Sequence, residues 1–471
     1  MTPSGGNAPV AAARPLVPAL LFIALVVAVV GSLGTPLITT VSDEFDVSLA
    51  AAQWTLTAPL LVGAVATPVL GRLGTGPRRR QVVLATLAVV VAGSLLTVVP
   101  PSFGWLLAGR VAQGTGLGLT ALMMGVARDH LPTGRSGPVI ALLSVASTVG
   151  IGVGYPLAGL LTDLSGLRAA YGVGLLVTVL ALAAAWRAVP QPPSGRSATV
   201  DLPGAALLGA GLLVLLLVIS QSSLWTERPG AATCLLAVSA ALLTAWVRRE
   251  RRSVAPLVDL TLLRHPAVAG ANAVMLLGGV GMYLLLTLVT RYVQTPDSAG
   301  YGFGVGVFVA GLVLVPFSVL GFAGGRLVPP LRERLHATAL LAVGGTVVLA
   351  ALTLFALARD QLWLSFTVMG MLGLGVGLFS AAMPAAILAV TPASETSSAM
   401  SFNQVVRSVG FSIGSALGGL TLAARTPTGA RFPAEGGYGT ASWLGAGMML
   451  CTVVAAVLLG RAARSGAQRK A

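Results

Sequence analysis

The sequence predicts an all-α integral membrane protein of fourteen transmembrane helices. They form two six-helix bundles related by pseudo-two-fold symmetry, with two extra helices between them. Three observations carry that expectation. Apolar residues make up 55% of the 471 and charged residues 9%, against about 25% charged in an ordinary soluble domain. The apolar residues gather into blocks of about 20, the length a helix needs to cross a bilayer core. Blocks from the first half of the chain recur in the second.

In chain order the blocks lie near residues 16–38, 53–73, 81–99, 103–127, 137–161 and 169–189, then 202–222 and 231–247. Six more follow near 267–290, 303–324, 337–357, 362–390, 399–423 and 441–460. The first resembles a signal peptide, because Arg14 precedes an apolar run, but no small-x-small cleavage site closes it and it reads as a retained helix. The expected division is an N-terminal bundle over 1–190, a linker with the two inserted helices over 191–262, and a C-terminal bundle with a basic tail over 263–471.

Charge sets the orientation. With the amino terminus inside, twenty-one Lys/Arg fall in cytoplasmic stretches and six in outer loops, leaving Arg110 and Arg407 within spans. This asymmetry is the positive-inside pattern, and an even number of spans puts both termini in the cytoplasm of a plasma-membrane protein. The net charge of +15 and the pI of 11.4 therefore reflect short loops beside anionic inner-leaflet lipid, and no nucleic-acid partner is expected. Cys234 and Cys451 fall in apolar spans and read as small buried hydrophobes. His130, His265 and His336 lie apart in loops, so no metal set is expected. No phosphate-binding loop or nucleophile–base pair is visible, and neither a cofactor nor an enzymatic activity is expected.

The repeat is explicit. "VGIGVGYPLAGL" (Val149 to Leu160) and "VGFSIGSALGGL" (Val409 to Leu420) share six residues without a gap, at an offset of 260. "GRL" at 71–73 recurs at 325–327, each time followed by a basic stretch. "GTGLGLTALMMG" in the fourth segment is echoed by "GLGVGLFSAAMP" in the twelfth. Two such halves, meeting around a midplane cavity, suit alternating access.

Five motifs then carry a family resemblance over nearly the whole chain. "GRVAQGTGLG" resembles an RxxQGxG signature on segment four, with Arg110, Gln113, Gly114 and Gly116 in register. "PVLGRLGTGPRRRQVVL" resembles a signature loop between segments two and three, and "GVGYPLAGLL" a glycine–proline antiporter signature on segment five. "SGLRAAYGVG" and "RYVQT" match the turn into segment six and the end of segment nine. The chain thus resembles the major facilitator superfamily in its fourteen-segment drug:proton antiporter branch. The resemblance implies a monomeric exporter of small organic molecules, driven by protons. It implies a cytoplasmic gate at Gly71, Arg72, Thr75, Arg78, Arg79 and Arg80, and an antiporter-motif helix carrying Gly150, Gly154, Pro156 and Gly159. Three departures stand out: Thr75 and Gly76 replace the usual aspartate, segment one has no aspartate, and Tyr155 stands where glycine usually precedes the proline.

Arg110 lies about seven residues into its segment, on the order of 10 Å deep. An ionisable group there is expected to face the bundle interior or a cavity. Gln113, three residues on, shares its face. Arg407, with Asn403 and Gln404 one turn before it, is the second buried cation. These five and Tyr155 form the expected substrate and coupling cavity. All fourteen Asp/Glu fall in loops or at span ends, so the cavity favours anionic or neutral substrates over cations. Asp43 and Glu44, in "DEFD" at the outer mouth, are then the acids available as a proton site, although a solvated loop charge run explains them as well. A facilitator or importer of the same fold, and a non-transporting receptor or scaffold, remain as alternatives.

Overall fold

The computed structural model describes residues 16–33, 37–47, 49–52, 54–74, 77–191, 201–220, 222–253, 256–258, 260–427, 430 and 432–468. Thr75, Gly76, Arg14 and Arg196 lie outside them. Among the described residues there is no strand.

The first bundle holds α1 (Leu16–Ser32), α2 (Trp54–Leu73), α3 (Arg79–Val98), α4 (103–130), α5 (133–165) and α6 (167–188). The inserted pair is α7 (Leu202–Ser220) and α8 (Pro229–Glu250). The second bundle holds α9 (Pro266–Gln294), α10 (307–331), α11 (Ala337–Leu357), α12 (Leu362–Leu388), α13 (Thr396–Ala424) and α14 (Glu435–Gln468). Eleven helices among the described residues are each long and apolar enough to span a bilayer. The other three are irregular: α1 has 17 residues, α4 is interrupted by a 3-10 turn at Thr115–Gly118, and α5 runs into α6 through a fold at Gly166. Gly166 has φ 76°, which only glycine adopts readily, so the reversal is written into "SGLR".

Two boundaries differ from expectation. α1 stops at Ser32, and Ile38–Phe45 forms a separate short helix ending at Asp46 in the left-handed conformation, φ 49°. Gly34 and Pro36 stand between them in sequence, and both are poor helix formers. α14 continues to Gln468, past the apolar block, because its last turns need no apolar face once they leave the bilayer.

The two bundles repeat one packing scheme. α1 packs on α5, α2 on α4, and α3 on α4 and α6; in the same way α9 packs on α13, α10 on α12, and α11 on α12 and α14. Contact between the bundles runs through α5 with α10 and α2 with α13, which are equivalent under the repeat. The offset of 260 has a physical basis. A Cβ on Gly150 would sit 2.9 Å from the Val29 backbone nitrogen of α1, and one on Gly410 would sit 2.6 Å from the Leu276 carbonyl oxygen of α9. Both positions need glycine so that the helices can touch backbone to backbone, which in lipid is the main source of helix association.

The inserted pair leans on α2 and α13. Arg249 grips Asp201 with a fork, Nε to Oδ2 at 2.8 Å and Nη2 to Oδ1 at 2.8 Å, and Ser239 donates to the Gly211 carbonyl at 2.8 Å. The outward surface is apolar: Leu95, Leu164, Leu176 and Leu357 are exposed, with Trp105, Trp186, Trp363 and Trp443 near helix ends in the manner of an interfacial belt. Cys234 and Cys451 belong to that outward surface. They are exposed, not buried as their apolar surroundings suggest, because a spanning helix is apolar on its lipid face as well as its core face.

Candidate functional site

Arg110 is fully buried, and its surroundings explain why α4 tolerates it. Nε donates to the Thr55 carbonyl at 2.8 Å, Nη1 to the Val30 carbonyl at 2.9 Å and to Gln113 Oε1 at 2.8 Å, and Nη2 to the Gly31 carbonyl at 3.3 Å. Each backbone acceptor is one that helix geometry leaves without a donor. Val30 and Gly31 sit in the last turn of α1, where carbonyls have no intrahelical partner and the helix end is negative. Thr55 would normally accept from the amide four residues on, but that residue is Pro59, which has none. Arg110 therefore ties the end of α1 and the start of α2 to α4. Gln113 extends the network to α3, its Nε2 donating to Ser94 Oγ at 3.1 Å and Thr97 Oγ1 at 3.3 Å.

Sequence spacing aimed this pair at the cavity between the bundles. The structure places both inside the N-terminal bundle instead, 0% and 6% exposed, because α1 and α2 offer orphan carbonyls that the spacing of residues on α4 does not reveal. Tyr171, also buried, joins the apolar cluster beside them; its hydroxyl has no hydrogen-bond partner among the described residues.

The second centre lies on α13. Asn403 is buried and donates to Asn272 Oδ1 on α9 at 3.0 Å, while Asn272 donates to the Val268 carbonyl at 3.0 Å. One turn further, the Arg407 guanidinium lies over the Phe411 ring, 5.7 Å from its centroid, and Phe411 stacks on Tyr283 of α9 at 5.0 Å. Asn403, Arg407 and Phe411 recur every four residues and so share a stripe facing α9. Arg407, Phe411 and Tyr283 are all half-buried, as is Gln404. Tyr155 is half-buried on α5 and packs against the C-terminal core, beside Pro156, whose backbone abuts Gly311 of α10. Gly150, Gly154 and Gly159 are buried, the first two against α1.

A third set lies at the basic ends of the helices and joins the halves. Arg72 Nη1 is 3.4 Å from Glu395 Oε1. Arg128, at the end of α4, donates to Thr396 Oγ1 at 2.9 Å and to the carbonyls of Thr391 at 2.8 Å and Leu388 at 3.4 Å. Gly71 of α2 lies against the Ser401 side chain and Gly125 of α4 against that of Ser397. Both serine hydroxyls are buried without a partner among the described residues, so packing dominates this contact.

Within the gate motif the roles divide. Arg79 pairs with Asp129 and donates to the Gly74 carbonyl; Arg80 donates to the Trp186 carbonyl at 2.8 Å and covers its ring; Arg78 is exposed. Arg79 and Arg80 thus act inside the first half, with Asp129 supplying the carboxylate that the 2–3 loop lacks. Arg72 and Arg128 make the contacts across. Arg128 and the small polar run "TSSAMS" that opens α13 escaped the sequence reading; the signal was the high density of Ser and Thr at the mouth of an apolar span. Asp43 and Glu44 lie exposed on the short helix Ile38–Phe45. No cluster of metal-ligating side chains occurs among the described residues.

Fourteen helices among the described residues, eleven of them long and apolar enough to span a bilayer, lie in two halves that repeat one packing scheme and meet through α5 with α10 and α2 with α13, which defines a multi-pass membrane protein of transporter architecture. The family model described as Major Facilitator Superfamily matches residues 20–415, and the chain belongs to that superfamily. It is 28% identical over 392 residues to "Multidrug resistance protein B homolog" of Mycobacterium tuberculosis, covering 79% of this chain and 69% of that one. It is 29% identical over 400 residues to "Probable actinorhodin transporter" of Streptomyces coelicolor, covering 79% and 65%. In fold it is similar to the crystal structure of the human organic anion transporter MFSD10 (TETRAN), with a TM-score of 0.64, 15% identity and coverage of 94% and 99%.

Proposed function

We propose that this protein is a secondary active exporter of small organic molecules (drugs, antibiotics or metabolites), exchanging them for protons by alternating access. The observation that carries this reading is the contact between two like halves at their basic ends, built from Arg72, Arg128, Gly71 and Gly125. A few polar bonds and close glycine packing make a surface that can part and re-form, as alternation requires. The names of the relatives, a multidrug resistance protein and an antibiotic transporter among them, support export. On this reading the halves 1–190 and 263–471 rock against each other and 191–262 bridges them. The protein works as a monomer in the plasma membrane, with both termini in the cytoplasm.

Substrate charge follows from the spans. A half-buried Arg407 beside Phe411, with no carboxylate in the span interiors, favours anionic or neutral cargo, since a lipophilic cation would find no counter-charge. Cells expressing the protein are expected to export fluorescein or the neutral dye Nile red in preference to ethidium. Robust proton-dependent ethidium efflux would overturn this assignment.

Arginine stays protonated and cannot itself carry the exchanged proton. Asp43 and Glu44, exposed in this conformation, serve as the coupling site if closure of the outer mouth buries them. Asp43→Asn with Glu44→Gln is then expected to abolish pH-driven efflux while sparing substrate counterflow. Survival of both activities would leave the acids as loop charges and favour a facilitator.

A further inference from the structure

We propose that the crevice between the halves at their basic ends binds an amphipathic anion, and that an anion seated there draws Arg128 away from the contact joining the halves. This site is separate from Arg110 and Arg407, and the inference goes beyond the transport reading.

The crevice has a volume of about 350 Å³ and lies between the ends of α4 and α5 on one side and of α10 and α12 on the other. Arg128, Ser136 and Ile140 line it from the first half, and Val328, Arg332 and Leu388 from the second, with proline and alanine making up most of the remainder. Two guanidinium groups from opposite halves thus meet an apolar wall, and no carboxylate lines the crevice among the described residues. Asp129, next to Arg128 in the chain, is paired with Arg79. Such a volume is typical of small-molecule sites.

Arg128 is the decisive group. Its described partners across the interface are all neutral: one hydroxyl and two carbonyls. A carboxylate or phosphate forms hydrogen bonds to arginine roughly twice as strong as neutral acceptors do. An anionic head placed between Arg128 and Arg332 therefore competes for the guanidinium, while its apolar tail lies along Ile140, Val328 and Leu388. The charged head and apolar body belong equally to an anionic lipid and to an amphipathic carboxylate from the cytosol.

The test is binding of dansyl-undecanoic acid to the purified full chain in phosphatidylcholine nanodiscs, beside its uncharged methyl ester. The acid is expected to bind saturably and the ester weakly. Arg128→Gln is expected to weaken binding about tenfold or more, and the exposed Arg332→Gln about two- to fivefold, while Arg128→Lys retains it. Spin labels on Arg135→Cys and Arg334→Cys, with Cys234 and Cys451 replaced by serine, are expected to move apart when the acid binds. Phosphatidylglycerol in the disc competes if lipid is the natural occupant and has no effect if the occupant is a soluble amphiphile; either result stands on the same anion site. Equal binding of the ester, or unchanged binding in both glutamine variants, would overturn the site. An unchanged label distance at saturation would overturn its link to Arg128. Because no transport is measured, failure here leaves the exporter reading standing.

Discussion

Arg110→Ala is expected to abolish transport and lower thermal stability at the same time. The side chain is fully buried and holds three backbone carbonyls, of Val30, Gly31 and Thr55, together with the Gln113 amide oxygen. None of those carbonyls has an obvious substitute donor: two belong to a helix end and the third faces a proline nitrogen. Truncation leaves buried acceptors unpaired in a site that water does not reach, and losses of about 3 kcal/mol or more are usual when one side of a buried charged network is removed. Arg110→Lys separates charge from geometry. An ammonium keeps the cation but cannot spread its donors across α1, α2 and Gln113 as the planar fork does. The lysine variant is expected to insert and to melt below the parent, with transport well below the parent's. The checks are thermal unfolding in detergent and efflux of fluorescein from cells. Parental melting and transport in Arg110→Ala would show that the network is dispensable.

The second large effect is steric. Gly71→Val puts a branched side chain where α2 meets α13, against Ser401 and with its Cβ 3.2 Å from the Ser397 carbonyl oxygen. The halves then cannot close at their basic ends. Transport is expected to fall to background while the fold survives, because Gly71 contacts the opposite half and not its own core. Ser397, fully buried against Gly125 of α4 in the closed contact, reports the change: after Ser397→Cys in a background with Cys234 and Cys451 replaced by serine, a membrane-impermeant maleimide is expected to label it faster when Gly71→Val is added. Gly71→Ala combined with Ser401→Gly is expected to regain transport relative to Gly71→Ala alone, since the second change vacates the volume that the first fills. Unaltered labelling together with full transport in Gly71→Val would remove this contact from the working cycle.

The helices were legible in the sequence because a bilayer imposes a length and a polarity that no soluble environment does. The repeat was legible because backbone contact between helices admits only glycine, so Gly150 and Gly410 mark the same contact in each half. What lay hidden has a common cause. Spacing on one helix says which residues share a face, not what stands opposite. Arg110 and Gln113 do share a face, but the partners that turn it inward are carbonyls freed by Pro59 and by the end of α1, on other helices. Arg79 finds Asp129 fifty residues away, so the missing loop aspartate did not leave it unpaired. Arg128 read as an ordinary basic residue at a span end, because its three acceptors are neutral groups around and at the start of α13, and no charge pattern points to them. The cysteines misled for a related reason: an apolar helix has a lipid face that composition cannot distinguish from its core face.

Proton-driven export is measured most directly in inside-out vesicles containing the purified chain. Fluorescein is supplied outside and the pH gradient is imposed with the interior acidic, so that outward-moving protons meet inward-moving dye on the path that export takes in the cell. A proton-driven exporter is expected to accumulate the dye above the external concentration, to lose that accumulation on addition of a protonophore, and to show none in vesicles carrying Gly71→Val. Equilibration to equal concentrations with no response to the gradient would contradict proton-driven export and establish a facilitator.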